Sequence, residues 1–66
     1  MTEKDAARAR ELRAAAVLLR AAEEPGPEEA LFTVAAEVYE DGYEDIRART
    51  MAAAAYGIAK KHLDKA

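Results

Sequence analysis

Apolar residues recur every three or four positions in three stretches of the chain, and two breaks separate these stretches. In the first stretch Leu12, Ala16 and Leu19 show this spacing, which is that of one face of an α-helix. The breaks are Pro25-Gly26-Pro27 and Asp41-Gly42. The pattern therefore predicts an all-α protein with helices over residues 3–23, 27–40 and 44–65.

The residues at the ends of these stretches agree with the predicted boundaries. Thr2 is a good N-cap because its hydroxyl can accept a hydrogen bond from the first turn. Pro27 fits the first turn of a helix, where a missing N–H costs nothing, and Gly42 suits the left-handed residue that follows a helix. Because short links join antiparallel neighbours in bundles, we expect one domain, residues 1–66, folded as an up-down-up three-helix bundle.

The same spacing assigns a core face to each of the last two helices. In the second helix this face is widened by two aromatic residues and comprises Leu31, Val34, Ala35, Val38, Phe32 and Tyr39. In the third helix Arg49 is predicted to point outward. The core face of that helix has two rows, namely Met51, Ala55, Ile58 and His62, and Ala48, Ala52, Tyr56, Ala59 and Leu63.

The first helix is apolar on more than one side. Residues 14–19 are all apolar, and Val17 falls between Arg13 and Arg20 on the side that a lone bundle exposes to water. A helix that is apolar nearly all the way round is buried on more than one side. We therefore expect burial between chains, with Val17 and Leu18 at the interface.

Gly57 is the unusual residue of the third helix, because glycine inside a helix costs about 1 kcal/mol relative to alanine. It shares one side of the helix with Ala53 and Ile46. Two interpretations stay open at this point. A helix of another chain packs closely against Ala53 and Gly57, or the glycine makes room for Tyr56 or another neighbour within the bundle. Tyr43, in the second link, is a further candidate for a surface contact.

The composition favours an assembly as well. A chain of 66 residues buries only about 60% of the surface that its unfolded form exposes, so it usually needs help from disulfides, metals, oligomerisation or very regular packing. Alanine supplies 18 residues, which favour helices but add little bulk to a core. The chain has no cysteine and a single histidine, so disulfides, thiolate metal sites and a His-rich metal site within one chain are excluded.

No pattern in the sequence points to catalysis, a cofactor, nucleic acid or a membrane. Serine is absent, and the neighbouring acids lie at helix ends where water reaches them. The net charge of −3 argues against nucleic acid and anionic membranes as partners. His62 is expected to act electrostatically near a helix C-terminus. We predict a non-enzyme without cofactor or metal, soluble and cytoplasmic on recombinant expression.

The stretches 6–16, 21–30 and 46–55 combine dense alanine, Arg/Glu surfaces and a Pro-Gly-Pro-Glu-Glu link, and the chain resembles computationally designed helical proteins. The resemblance implies a scaffold, a symmetric assembly or a binder without a natural activity. Our leading prediction is a designed symmetric homo-oligomer in which the bundle packs into a larger helical assembly. The alternative is a designed binding module that presents a helix face, with Phe32, Tyr39 and Tyr43, to a protein target.

Overall fold

The computed structural model describes residues 2–23 and 26–65 of the chain. Three helices are present, α1 (Glu3–Ala21), α2 (Pro27–Asp41) and α3 (Ile46–Lys65), and the described residues contain no β-strand. Ion pairs between neighbouring helices show that α2 runs antiparallel to α1 and α3, whereas α1 and α3 are parallel. The predicted up-down-up bundle is therefore confirmed.

The first helix begins as predicted and ends two residues earlier than predicted. The hydroxyl of Thr2 accepts a hydrogen bond of 3.0 Å from the backbone N–H of Asp5, which confirms the N-cap. Beyond α1, Glu23 has a φ of 57°. This left-handed conformation cannot continue a right-handed helix, and it is unfavourable for a residue other than glycine. Pro25, the first residue of the predicted break, lies outside the described residues.

The link between α2 and α3 is built from two local signals. Gly42 adopts a φ of 70°, and the N–H of Tyr43 donates to the carbonyl of Val38 at 3.2 Å. This is the Schellman arrangement, in which a left-handed glycine ends the helix. The carboxylate of Asp45 accepts from the N–H of Ala48 at 3.0 Å, so α3 begins at Ile46, two residues later than predicted.

The core lies where the three helices meet and is made largely of alanine. Of the 13 buried apolar residues in the described part of the chain, eight are alanines. All the buried residues of α3, Ala52, Ala55 and Ala59, belong to this group. The larger buried side chains are Leu12, Leu19, Phe32, Val38 and Tyr39.

Three side chains differ from the predicted faces. Val34 and Ile58 were predicted to be buried, but they are 48% and 38% exposed. α2 packs against two helices, so its buried arc turns toward Ala36 and leaves Val34 at the edge. Arg49 was predicted to point outward, but it is half-buried because its guanidinium contacts the Asp5 carboxylate at 3.3 Å. None of the three helices, within their described residues, has the length and apolar character needed to cross a bilayer.

Candidate functional site

The residues predicted to form an interface are all exposed. Val17 and Leu18 on α1 are 58% and 36% exposed, and Tyr43 in the link between α2 and α3 is 54% exposed. Ala53 and Gly57 on α3 are exposed as well. In a structure of one chain, no partner can be seen on these residues, so their role as an interface stays a prediction.

Three of these residues, Leu18, Ala53 and Gly57, lie on either side of the line along which α1 meets α3, here called the α1–α3 seam. The contacts of this seam join Arg49 to Asp5, and both Tyr56 and Lys60 to Glu11. At helical spacing, Ala53 and Gly57 lie next to the row of Arg49, Tyr56 and Lys60. Leu18 lies two turns beyond Glu11 on α1. Val17 lies on the other side of α1, one turn from Arg13 and from Arg20, which both pair with α2. Tyr43 is outside this group.

Gly57 has no neighbour that explains its lack of a side chain. A Cβ added to Gly57 would meet no atom of the described residues within 4 Å. The interpretation in which this glycine makes room for Tyr56 or another neighbour within the bundle is therefore excluded. Close approach by another chain stays a prediction, because a structure of one chain does not test it.

The aromatic residues of the binding-module alternative are mostly unavailable to a partner. Phe32 is fully buried, and Tyr39 is 1% exposed. The ring of Phe32 packs edge-on against the imidazole of His62, with centroids 5.8 Å apart. The prediction that Phe32 and Tyr39 belong to a presented face is therefore wrong, because both rings fill space between the helices that small alanines leave open. Tyr43 alone keeps an exposed ring.

The structure contains a pocket that the sequence analysis did not predict. This pocket, called the Arg8 pocket below, has a volume of about 460 Å³. It opens beside the side of α3 that carries Ile46, Ala53 and Gly57, and two of these residues, Ile46 and Ala53, line it. Its lining comprises Arg8, Tyr39, Ile46, Arg49, Thr50 and Ala53.

Two guanidinium groups and a phenol define the chemistry of the Arg8 pocket. The Cζ atoms of Arg8 and Arg49 lie 5.7 and 5.6 Å from the centre of the Tyr39 ring, and Arg8 is also 5.4 Å from the ring of Tyr56. The hydroxyl of Tyr39 is buried, and within residues 2–23 and 26–65 it has no hydrogen-bond partner. Such a group costs free energy unless something satisfies it.

A weak signal for this pocket was present in the sequence. Arg8 and Arg49 are 41 positions apart, and they come together only because α1 and α3 run parallel. The pattern of apolar residues assigned Arg49 to the solvent. The chain has few large residues, so its three tyrosines were the only weak sign of such a site. Where their rings lie depends on tertiary packing, which the sequence pattern does not give.

The remaining polar contacts are ion pairs and one hydrogen bond that tie the helices together. Arg13 binds both carboxylate oxygens of Glu40, at 2.7 and 2.6 Å, and these bonds lower the pKa of Glu40. The hydroxyl of Tyr56 donates to Glu11, and this bond is the main reason that the pKa of Tyr56 is raised. His62 contacts Glu28 at 3.0 Å. In the described part of the chain, no three His, Cys, Asp or Glu side chains converge as metal ligands would.

The chain was also compared with known proteins. No protein-family model, no curated protein and no solved structure matches it.

Proposed function

We propose that the chain is the protomer of a symmetric homo-oligomer and that assembly is its function. The proposed interface is the outer face of α1 and α3, which comprises Ala14, Val17, Leu18, Ala21, Ile46, Ala53 and Gly57. One observation carries the proposal: this face is apolar and exposed, with Ile46 81% and Val17 58% exposed, although the core beneath it is short of large side chains.

The occupant that best fits this face is a second copy of the chain. The buried residues of α3 are all alanines, so the bundle gains little from burying this helix within one chain. A standard interface covers about 800 Å² on each partner, which is nearly a fifth of the 4440 Å² that the chain exposes. Burial of that size adds apolar contacts that a domain this small cannot make alone.

Ala53 and Gly57 suggest how two copies meet. An antiparallel crossing of the two α3 helices, centred between these residues, places Ala53 of each copy opposite Gly57 of the other. The absence of side-chain atoms at Gly57 then allows the two backbones to approach closely. In this register Asp64 of the second copy lies opposite Ile46, next to the basic residue Arg47. Such a contact has twofold symmetry, the commonest symmetry of soluble oligomers.

The mass of the protein in solution tests the proposal. We expect light scattering after size exclusion to show a species of at least twice the 7.2 kDa of one chain. The fraction of the protein in this species should rise with protein concentration. A single species of 7.2 kDa across all concentrations, up to the solubility limit, contradicts the proposal.

Two lysine substitutions locate the interface. Ala53→Lys places a charge at the centre of the proposed crossing and should shift the protein to the monomer, because a buried, unpaired charge is costly. Ala54→Lys is the matched control, since Ala54 is also exposed on α3 but lies round the helix from Ala53. Both variants should keep the helical circular dichroism of the parent. If Ala54→Lys dissociates the oligomer as much as Ala53→Lys does, the outer face of α1 and α3 is not the interface.

A further inference from the structure

The Arg8 pocket has the chemistry of a ligand site. We propose that it binds a carboxylate attached to a small apolar group, with Arg8 and the hydroxyl of Tyr39 donating hydrogen bonds to the carboxylate. This inference does not rest on the proposed assembly, because binding can be measured at dilutions where the chain is a monomer.

Arg8 is the cation that a ligand would meet. Its guanidinium lies over the rings of Tyr39 and Tyr56, which hold it by cation–π contact. No carboxylate of residues 2–23 or 26–65 forms an ion pair with it. By contrast, Arg13 and Arg20 on the same helix each bind a glutamate of α2. The planar donors of Arg8 therefore remain available to a carboxylate, which they can bind in a bidentate geometry.

The charge around the pocket matches a single negative charge. Arg49 also faces the pocket, but its guanidinium lies 3.3 Å from the Asp5 carboxylate, so this pair is close to neutral. A second hollow of about 340 Å³ shares Arg49 and is also lined by two acids, Asp5 and Glu44. One net positive charge therefore remains on the Arg8 side. A carboxylate balances this charge, whereas a doubly charged phosphate would exceed it.

The hydroxyl of Tyr39 is the second, independent sign of a ligand. Tyr39 is 1% exposed and lines the pocket, and its hydroxyl finds no partner in the described part of the chain. A buried hydroxyl in this state is destabilising, and an incoming oxygen acceptor would satisfy it.

The apolar part of the ligand follows from the rim of the pocket. Ile46 is 81% exposed, and Ala53 lies two turns further along the same side of α3. Both line the Arg8 pocket, whose volume of about 460 Å³ exceeds that of a bare carboxylate and suits a small ring or short aliphatic chain. Covering Ile46 removes apolar surface from water and adds to the affinity.

A titration with benzoate, followed by NMR, tests this assignment. We expect saturable shifts of the Arg8 side-chain Nε–H and of the ring signals of Tyr39, weaker at higher salt because the contact is ionic. Benzyl alcohol, which has the same ring and no charge, is the control ligand and should bind at least tenfold more weakly, given the strength of charged hydrogen bonds. Equal binding of benzoate and benzyl alcohol would overturn the proposal, as would no binding of benzoate.

Two pairs of variants assign the donors. Arg8→Gln should weaken benzoate binding about tenfold, whereas Arg10→Gln, an exposed position two residues away on α1, should leave it unchanged. Tyr39→Phe should weaken binding several-fold while leaving the stability of the free protein unchanged or raised. That combination separates a ligand-binding hydroxyl from a structural one. Unchanged affinity in Tyr39→Phe, or equal losses in the two arginine variants, contradicts the assignment.

The carboxylate can come from a free molecule or from a second copy of the chain, and dilution distinguishes the two. If the Arg8 Nε–H signal of the protein alone shifts with protein concentration, and benzoate reverses this shift, the occupant is a carboxylate of another copy. If the signal is independent of protein concentration and responds to benzoate, the occupant is a free carboxylate. Either result supports the site, and a shift with concentration that persists in benzoate overturns it.

Discussion

α1 forms two seams with its neighbours, and they differ in how completely their polar groups are satisfied. Along the α1–α2 seam, Arg13 binds Glu40 with two hydrogen bonds and Arg20 binds Glu29 at 2.7 Å. Along the α1–α3 seam, Arg8 lies over the rings of Tyr39 and Tyr56, and the distance between Lys60 and Glu11 is 3.9 Å. The first seam, here called the closed seam, pairs both of its arginines with carboxylates. The second, here called the open seam, has ion pairs and a hydrogen bond of its own but leaves Arg8 without a carboxylate partner among the described residues.

This difference is the reason that we place a proposed partner or ligand on the side of the open seam. The closed seam gains nothing from a partner, because any ligand would have to compete with ion pairs that are already formed. The open seam carries the Arg8 pocket and is flanked by the exposed apolar residues Leu18 and Ile46. Both proposals, assembly and carboxylate binding, therefore concern the same side of the protein, and they can be tested separately.

The largest expected effect is the difference in stability loss between a core position and an exposed position of α1. Leu12→Ala should destabilise the fold by about 3 kcal/mol, because Leu12 is fully buried and its loss leaves a cavity. Leu18→Ala, the same change on the same helix at a position 36% exposed, should cost less than about 1 kcal/mol in dilute protein. Urea unfolding followed by circular dichroism measures both values. Similar losses at the two positions would show that the outer face of α1 is buried even in the monomer.

A smaller effect is expected when each of two glycines is replaced by alanine, and the change in stability should have opposite signs at the two positions. This pair tests whether the fold of the single chain requires a glycine at position 57. Gly57→Ala should stabilise the monomer by about 0.5–1 kcal/mol, because alanine is the better helix former and the site has room for a Cβ. Gly42→Ala should destabilise it by about 1 kcal/mol, because Gly42 holds a φ of 70°. Thermal unfolding in dilute protein gives both shifts. In the proposed assembly, Gly57→Ala should also weaken association, and stronger association would contradict the close crossing of two α3 helices.

The fold could be predicted from the sequence because the signals that end its helices are local. Thr2 and Gly42 act within a few residues of their own positions, so their types alone indicate where α1 begins and α2 ends. The end of α1 was predicted two residues too late, and this error is also local. A glutamate gives no sign in the sequence of the left-handed conformation that Glu23 adopts.

The pocket could not be predicted, because it depends on the angle at which whole helices pack. Helical spacing places a residue on a face, but it does not say which neighbour that face meets. Arg49 was assigned to water for this reason, although the parallel packing of α1 and α3 brings it to Asp5 and Tyr39. Val17 and Gly57 are exposed in the single chain, and their predicted place in an interface between chains stays a prediction. The resemblance to designed proteins stays a prediction.

The smallest expected effect concerns the closed seam and its response to acid. Arg13 lowers the pKa of Glu40 through their hydrogen bonds, so the folded state favours the ionised carboxylate. This contribution is present above the pKa of Glu40 in the unfolded chain and is lost as the pH falls through its lower value in the fold. Because both side chains are at least a third exposed, we expect Glu40→Gln to cost only about 0.5 kcal/mol at pH 7. Urea unfolding at pH 7 and at a series of lower pH values should show this cost shrinking as the pH falls through the lowered pKa of Glu40, because the parent carboxylate then becomes protonated as well. Glu37→Gln, a change at an exposed position of the same helix, is the control and should lower the stability less at pH 7. An equal loss of stability in the two variants at pH 7 would mean that the ion pair of Arg13 and Glu40 does not stabilise the closed seam.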